Sequence, residues 1–96
     1  MRPDHAASHT NLGVALIRQA RREEAISHFS EAIRLDPEAV EARLDLGGAL
    51  VEQGRIDEGI AQISEELRRH PDDARARQYL EITKARKAGA PGQRDQ

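Results

Sequence analysis

Residues 3–16 read PDHAASHTNLGVAL, and residues 37–50 read PEAVEARLDLGGAL. The second stretch restates the first at an offset of 34: Leu12 falls on Leu46, Gly13 on Gly47, Ala15 on Ala49 and Leu16 on Leu50. Pro3, Pro37 and Pro71 carry the same period along the chain. Gln19 pairs with Gln53, Arg21 with Arg55, Glu24 with Glu58 and Ile26 with Ile60, and Ser30, Glu31 and Arg34 recur as Ser64, Glu65 and Arg68. A fixed period of roughly 20–50 residues marks a repeat protein, in which each unit buries its apolar face on the next.

Within each period the apolar residues recur at helical spacing. The spacing predicts helices over residues 6–19, 23–35, 38–52, 56–69 and 72–88. Leu12, Ala15 and Leu16 face inward on the first, and Ala25, Ile26, Phe29, Ala32 and Ile33 on the second. Leu46, Ala49 and Leu50, then Ile60, Ile63 and Leu67, continue the stripe. Glu23 and Glu24 open their helix at the favourable end of its dipole. Gly54 supplies a turn, and Asp36-Pro37 closes a helix because proline restricts the residue before it. Short turns between helices of this length make neighbours antiparallel. On the fifth helix, Glu81 and Lys84 stand where earlier units have Gly13 and Gly47, or Leu16 and Leu50. Charges there predict that no partner helix follows, the polar outer face of a terminal repeat.

The bulk composition suits that reading. Ninety-six residues make one domain, and Phe29 and Tyr79 are its only aromatic residues, so Leu, Ile, Val and Ala must form the core. A net charge of −2 with both signs interspersed offers no basic field for nucleic acid. There is no cysteine for disulfides, thiol chemistry or metal ligation. No apolar run approaches the ~18 residues of a membrane span, and Met1-Arg2-Pro3-Asp4-His5 holds no hydrophobic leader segment. The cytoplasm is the expected compartment, although no residue assigns it.

The pattern resembles the tetratricopeptide repeat family, Trp-x2-Leu-Gly-x2-Tyr, Ala-x3-Phe and Pro within 34 residues. The first unit reads His9-x2-Leu12-Gly13-x2-Leu16, Ala25-x3-Phe29 and Pro37. The second reads Arg43-x2-Leu46-Gly47-x2-Leu50, Gly59-x3-Ile63 and Pro71. The resemblance implies an all-α fold of tandem helix-turn-helix repeats, an α-solenoid wound as a right-handed superhelix, with a C-terminal capping helix. Residues 6–39 form one unit, 40–73 the next and 74–88 the cap, with 89–96 a disordered tail. Residues 1–5 are the end of a preceding unit, or simply the chain's start. Two departures stand out. Gly59 replaces alanine and should weaken its helix by ~1 kcal/mol. Glu66 replaces the alanine matched by Ala32, with Arg75 or Arg77 of the fifth helix as its expected partner.

Little chemistry is encoded. His5 and His9 are four apart, as a metal pair on a helix would be, but no third ligand accompanies them, and no metal or cofactor is expected. His28 reads as an outer-face residue. The serines keep no triad spacing to His and Asp, and the carboxylates read as solvated faces, so no enzyme is expected. Binding remains. By resemblance, first helices line a concave groove for a peptide or helix. That groove would draw Thr10, Asn11, Val14 and Arg18 from the first unit and Glu41, Leu44, Asp45, Gly48 and Glu52 from the second. Arg75 and Tyr79 come from the cap, with Ala7, Ile17, Val51, Gln78, Ile82 and Arg86 around them. The expected partner is a protein or peptide with an apolar anchor and a basic residue, meeting exposed Glu41, Asp45 and Glu52; neither nucleic acid nor a membrane is expected. Thr10, Val14 and Asp45 stand where chaperone-tail binders of the family carry their carboxylate clamp, which excludes that mode. Alternatives are a structural role, capping or self-association into a homo-oligomer, and a regulatory tail of an enzyme whose catalytic domain lies upstream.

Overall fold

A computed structural model describes residues 3–89. Five helices follow one another: α1 (Pro3–Arg18), α2 (Arg22–Leu35), α3 (Val40–Glu52), α4 (Ile56–Arg69) and α5 (Ala74–Gly89). No strand occurs among the described residues, and the fold is all-α. Packing follows chain order: α1 on α2, α2 on α3, α3 on α4 and α4 on α5. The expected tail lies outside the described residues, except for Gly89, which ends α5.

α3 and α5 start two residues later than the spacing suggested. Pro37 and Pro71 sit inside turns, closed by the Ala39 N–H to the Asp36 carbonyl (2.9 Å) and the Asp73 N–H to the His70 carbonyl (3.0 Å). The hairpin turns also repeat. Arg21 donates to the Leu16 carbonyl at 2.9 Å and Arg55 to the Leu50 carbonyl at 2.8 Å. Each turn passes through one left-handed residue, Ala20 at φ 62° and Gly54 at φ 85°. Only glycine adopts that region without steric cost.

Small residues bring each helix pair together. A β-carbon on Gly13 would meet the Phe29 ring at 2.5 Å, and one on Gly47 would meet Ile63 at 2.9 Å. Phe29 is buried with Leu16, Ala25, Leu46, Ala49 and Leu50, so its ring joins α1, α2 and α3. Ile63 repeats this role with Leu44 and Ala76. Leu80 packs against that second cluster, while Glu81 and Lys84 are exposed.

Four expectations about these helices need correction. Leu12 is 45% exposed although its equivalent Leu46 is buried. Leu46 is covered by residues of α1 and α2, and among the described residues α1 has no preceding helix pair to cover Leu12. Val51 turns away from solvent toward Gly59, where an added β-carbon would meet Val51 Cγ2 at 2.6 Å and the Gly47 carbonyl at 2.8 Å. Gly59 is therefore required by a close helix approach, so the propensity penalty has a packing cause. Glu66 is buried and pairs with neither Arg75 nor Arg77. It faces Arg43 Nε at 4.0 Å and His70 Nδ1 at 2.9 Å. His70 reaches on to Glu38 through Nε2 at 3.1 Å. Arg43 donates from Nη2 to the Pro37 carbonyl at 2.6 Å. Finally, His28 is half-buried against His9, Nδ1 to Nδ1 at 3.0 Å. Their rings are stacked, with centroids 5.2 Å apart and planes inclined by 24°.

Candidate functional site

Positions one period apart face each other across the odd-numbered helices. Arg75 Nη2 of α5 lies 2.8 Å from Glu41 Oε2 of α3, and Arg86 Nη1 lies 3.2 Å from Glu52 Oε2. Both pairs are separated by 34 residues. The surface is thus ruled into rows. Glu41 and Arg75 close one end of the α3–α5 wall, and Glu52 and Arg86 close the other. Asp45 and Tyr79 share the row between them, with Asn11 as its α1 member.

A cavity of about 570 Å³ opens on this face. Its walls come from Val14 and Ile17 of α1, Phe29 of α2, Leu44, Asp45, Gly48 and Ala49 of α3 and Tyr79 of α5, with Glu41, Glu52, Arg75 and Arg22 at the rim. Gly48 makes room for Tyr79, since a β-carbon there would collide with the Tyr79 hydroxyl. A smaller hollow of about 410 Å³ continues past Glu41, between Ala7, Thr10 and Asn11 on one side and Glu38 and Val40 on the other.

The electrostatics single out Asp45. Glu41 and Glu52 each have an arginine partner, whereas among the described residues no donor reaches the Asp45 carboxylate. Asp45 is half-buried rather than exposed as expected. Burial first, and the neighbouring Glu41 second, push its carboxyl up to about 6, with Arg75 opposing them. Burial also raises the Tyr79 phenol, helped by Glu52 and Asp45. Among the described residues, no group of three or more His, Cys, Asp or Glu side chains is arranged to hold a metal ion. His5 is exposed and makes no hydrogen bond or ion pair with His9.

Repeating helix pairs, small residues at each crossing and a 34-residue period agree with one further finding. A family model described as Tetratricopeptide repeat matches residues 10–74. The chain belongs to the tetratricopeptide repeat family. No curated protein sequence matches it. Tetratricopeptide repeats generally serve as protein–protein interaction modules and are typically non-catalytic.

Of the groove residues implied by the tetratricopeptide resemblance, Val14, Glu41, Leu44, Asp45, Gly48, Glu52, Arg75 and Tyr79 line the one cavity. Thr10 and Asn11 line the adjoining hollow, where the Thr10 hydroxyl donates to the Ala6 carbonyl at 2.9 Å. Arg18 is exposed and lines neither. Phe29, Ala49 and Arg22 were not anticipated. Phe29 lies at the floor of the cavity although it is almost fully buried, its ring packed against Gly13 of α1. Arg22 carries no sequence signal, since its position depends on the path of the Ala20 turn.

Proposed function

We propose that this chain is a protein–protein interaction module that holds a peptide or helix of a partner in the groove between α1 and α3, against α5. The observation that carries this reading is the 570 Å³ cavity, with apolar walls and a polar rim drawn from three odd-numbered helices and one even one. Concave sites with apolar walls and a few convergent polar groups are the usual places for ligands. No nucleophile–base pair lines the cavity, which favours binding over catalysis. A groove this small supports micromolar or weaker affinity, roughly −8 kcal/mol or less in magnitude.

A peptide-array screen of the chain tests the reading. Hits should be lost on Ile17→Glu, which places a charge on the apolar wall at a residue that is already partly exposed. Hits indifferent to Ile17→Glu would remove the groove from the function. The second reading, a segment that extends or caps a larger array or self-associates, is favoured by the exposure of Leu12. Sedimentation at high concentration decides it: a strict monomer counts against self-association, and a dimer lost on Leu12→Glu supports it.

A further inference from the structure

We propose that the groove selects its ligand by one cationic side chain, an ammonium or guanidinium seated on the Asp45 carboxylate, where it competes with a proton for the same oxygens. Resting on the peptide-binding reading above, this assigns both the selector and its regulation by pH.

The charges around the cavity are nearly all spoken for. Arg75 bonds to Glu41, and Arg86 bonds to Glu52. Arg22 stands at the start of α2 and contributes nothing to Asp45, whose charged neighbours are Glu41 and Arg75. Asp45 is thus the one carboxylate of the lining without a partner, midway between two closed ion pairs. Around it are Leu44, Gly48, Ala49, Val14 and Phe29, which offer no side-chain donor. The remaining facing group, Tyr79, directs its hydroxyl over Gly48.

A half-buried carboxylate without donors is poorly solvated, and Glu41 adds repulsion, so the neutral acid is favoured up to about pH 6. A cation entering the cavity supplies the missing donors and the opposite charge. It binds the carboxylate and not the acid, so proton and cation compete for the same oxygens. Apolar contact with Val14, Ile17 and Leu44 leaves only one site for charge. A single Lys or Arg flanked by apolar residues therefore fits better than a run of basic residues.

Two matched pools of acetylated, amidated nonapeptides test this. Both carry flanks randomised over Ala, Leu, Ile, Val, Ser and Gln; one has Lys at the centre and the other norleucine. At pH 7.5 the Lys pool should bind about tenfold or more tightly than the norleucine pool. From pH 7.5 to pH 5 its affinity should fall by about tenfold, as expected for competition at a group titrating near 6. The norleucine pool should show no loss. Asp45→Asn should abolish the Lys preference and its pH dependence together. None of the four histidines lines the cavity. Equal, pH-insensitive binding of both pools would overturn the cation proposal and leave the groove reading standing. Failure of both pools to bind would sink the groove reading itself. A Lys preference that survives in Asp45→Asn would also overturn the assignment to Asp45.

Discussion

Arg43 and Glu66 form an ion pair inside the second helix hairpin, Nε to Oε1 at 4.0 Å, with their side chains only 6% and 1% exposed. Arg43 occupies the family's tryptophan position and Glu66 an alanine position. Two positions that are apolar in the family's pattern thus carry opposite charges here. Burial lowers the Arg43 pKa, opposed in part by Glu65 and Glu66, and raises that of Glu66, opposed by His70. Removing one partner of a buried pair costs more than replacing both. Glu66→Leu should therefore destabilise by about 3–5 kcal/mol, whereas Arg43→Met with Glu66→Leu should recover that loss or exceed the parent. Urea denaturation of the three proteins measures this, and a double variant no better than the single one would refute the coupling.

Ala20 and Gly54 are one period apart and share a left-handed turn, but only one of them is glycine. Ala20→Gly should stabilise by about 0.5–1 kcal/mol, the relieved strain being partly offset by unfolded-chain entropy. Gly54→Ala should destabilise by about 1–2 kcal/mol, although open space surrounds its missing β-carbon. Thermal melts should give opposite signs for the two substitutions.

Gly59→Ala sets helix propensity against packing. Propensity alone favours alanine by ~1 kcal/mol, but the new methyl would stand 2.8 Å from the Gly47 carbonyl, a backbone atom that cannot rotate away. Net destabilisation of about 1–3 kcal/mol is expected. A higher melting temperature would show that α3 and α4 separate at little cost.

Phe29→Ala should cost about 3–5 kcal/mol, because the ring fills the junction of three helices and alanine leaves a cavity there. A loss below ~1 kcal/mol in chemical denaturation would remove Phe29 from the core.

Asp45 makes stability depend on pH. Its folded pKa, about 6, lies above the ordinary 3.8. The stability it contributes is therefore complete below pH 3.8 and is lost as pH rises through 6. Asp45→Asn should remove that loss and stabilise the protein at pH 7.5 by about 1–2 kcal/mol, less than the full shift implies because the side chain is only half-buried. At pH 3.5 parent and variant should melt alike. A variant less stable at pH 7.5 would contradict the half-buried, unpartnered state of Asp45.

Period and helical spacing were enough to place five helices, Phe29, Ile63 and the glycine crossings, because such features recur and each recurrence checks the last. Quantities set by a neighbour were hidden. Leu12 and Leu46 are the same residue in the same local pattern, yet one is bare and the other covered. Glu66 had many arginines to choose from, and only the depth of α3 against α4 selects Arg43. Asp45 sits on a row that reads as surface, and its partial burial arises from Tyr79 leaning over Gly48, a contact between residues 31 apart. The groove residues were more accessible to inference, since identical repeats turn identical positions the same way.

The row arrangement of that face has an evolutionary consequence. Glu41, Arg75, Glu52 and Arg86 are each more than half exposed, while Gly13, Gly47, Phe29 and Ile63 hold the hairpins together elsewhere. Substitutions at exposed sites usually change stability by no more than about 0.5 kcal/mol. Recognition can drift one row at a time, by exchange of the Glu41–Arg75 or the Glu52–Arg86 pair, without the fold passing through an unstable ancestor. Two descendants could keep every helix crossing of this stack and share no ligand.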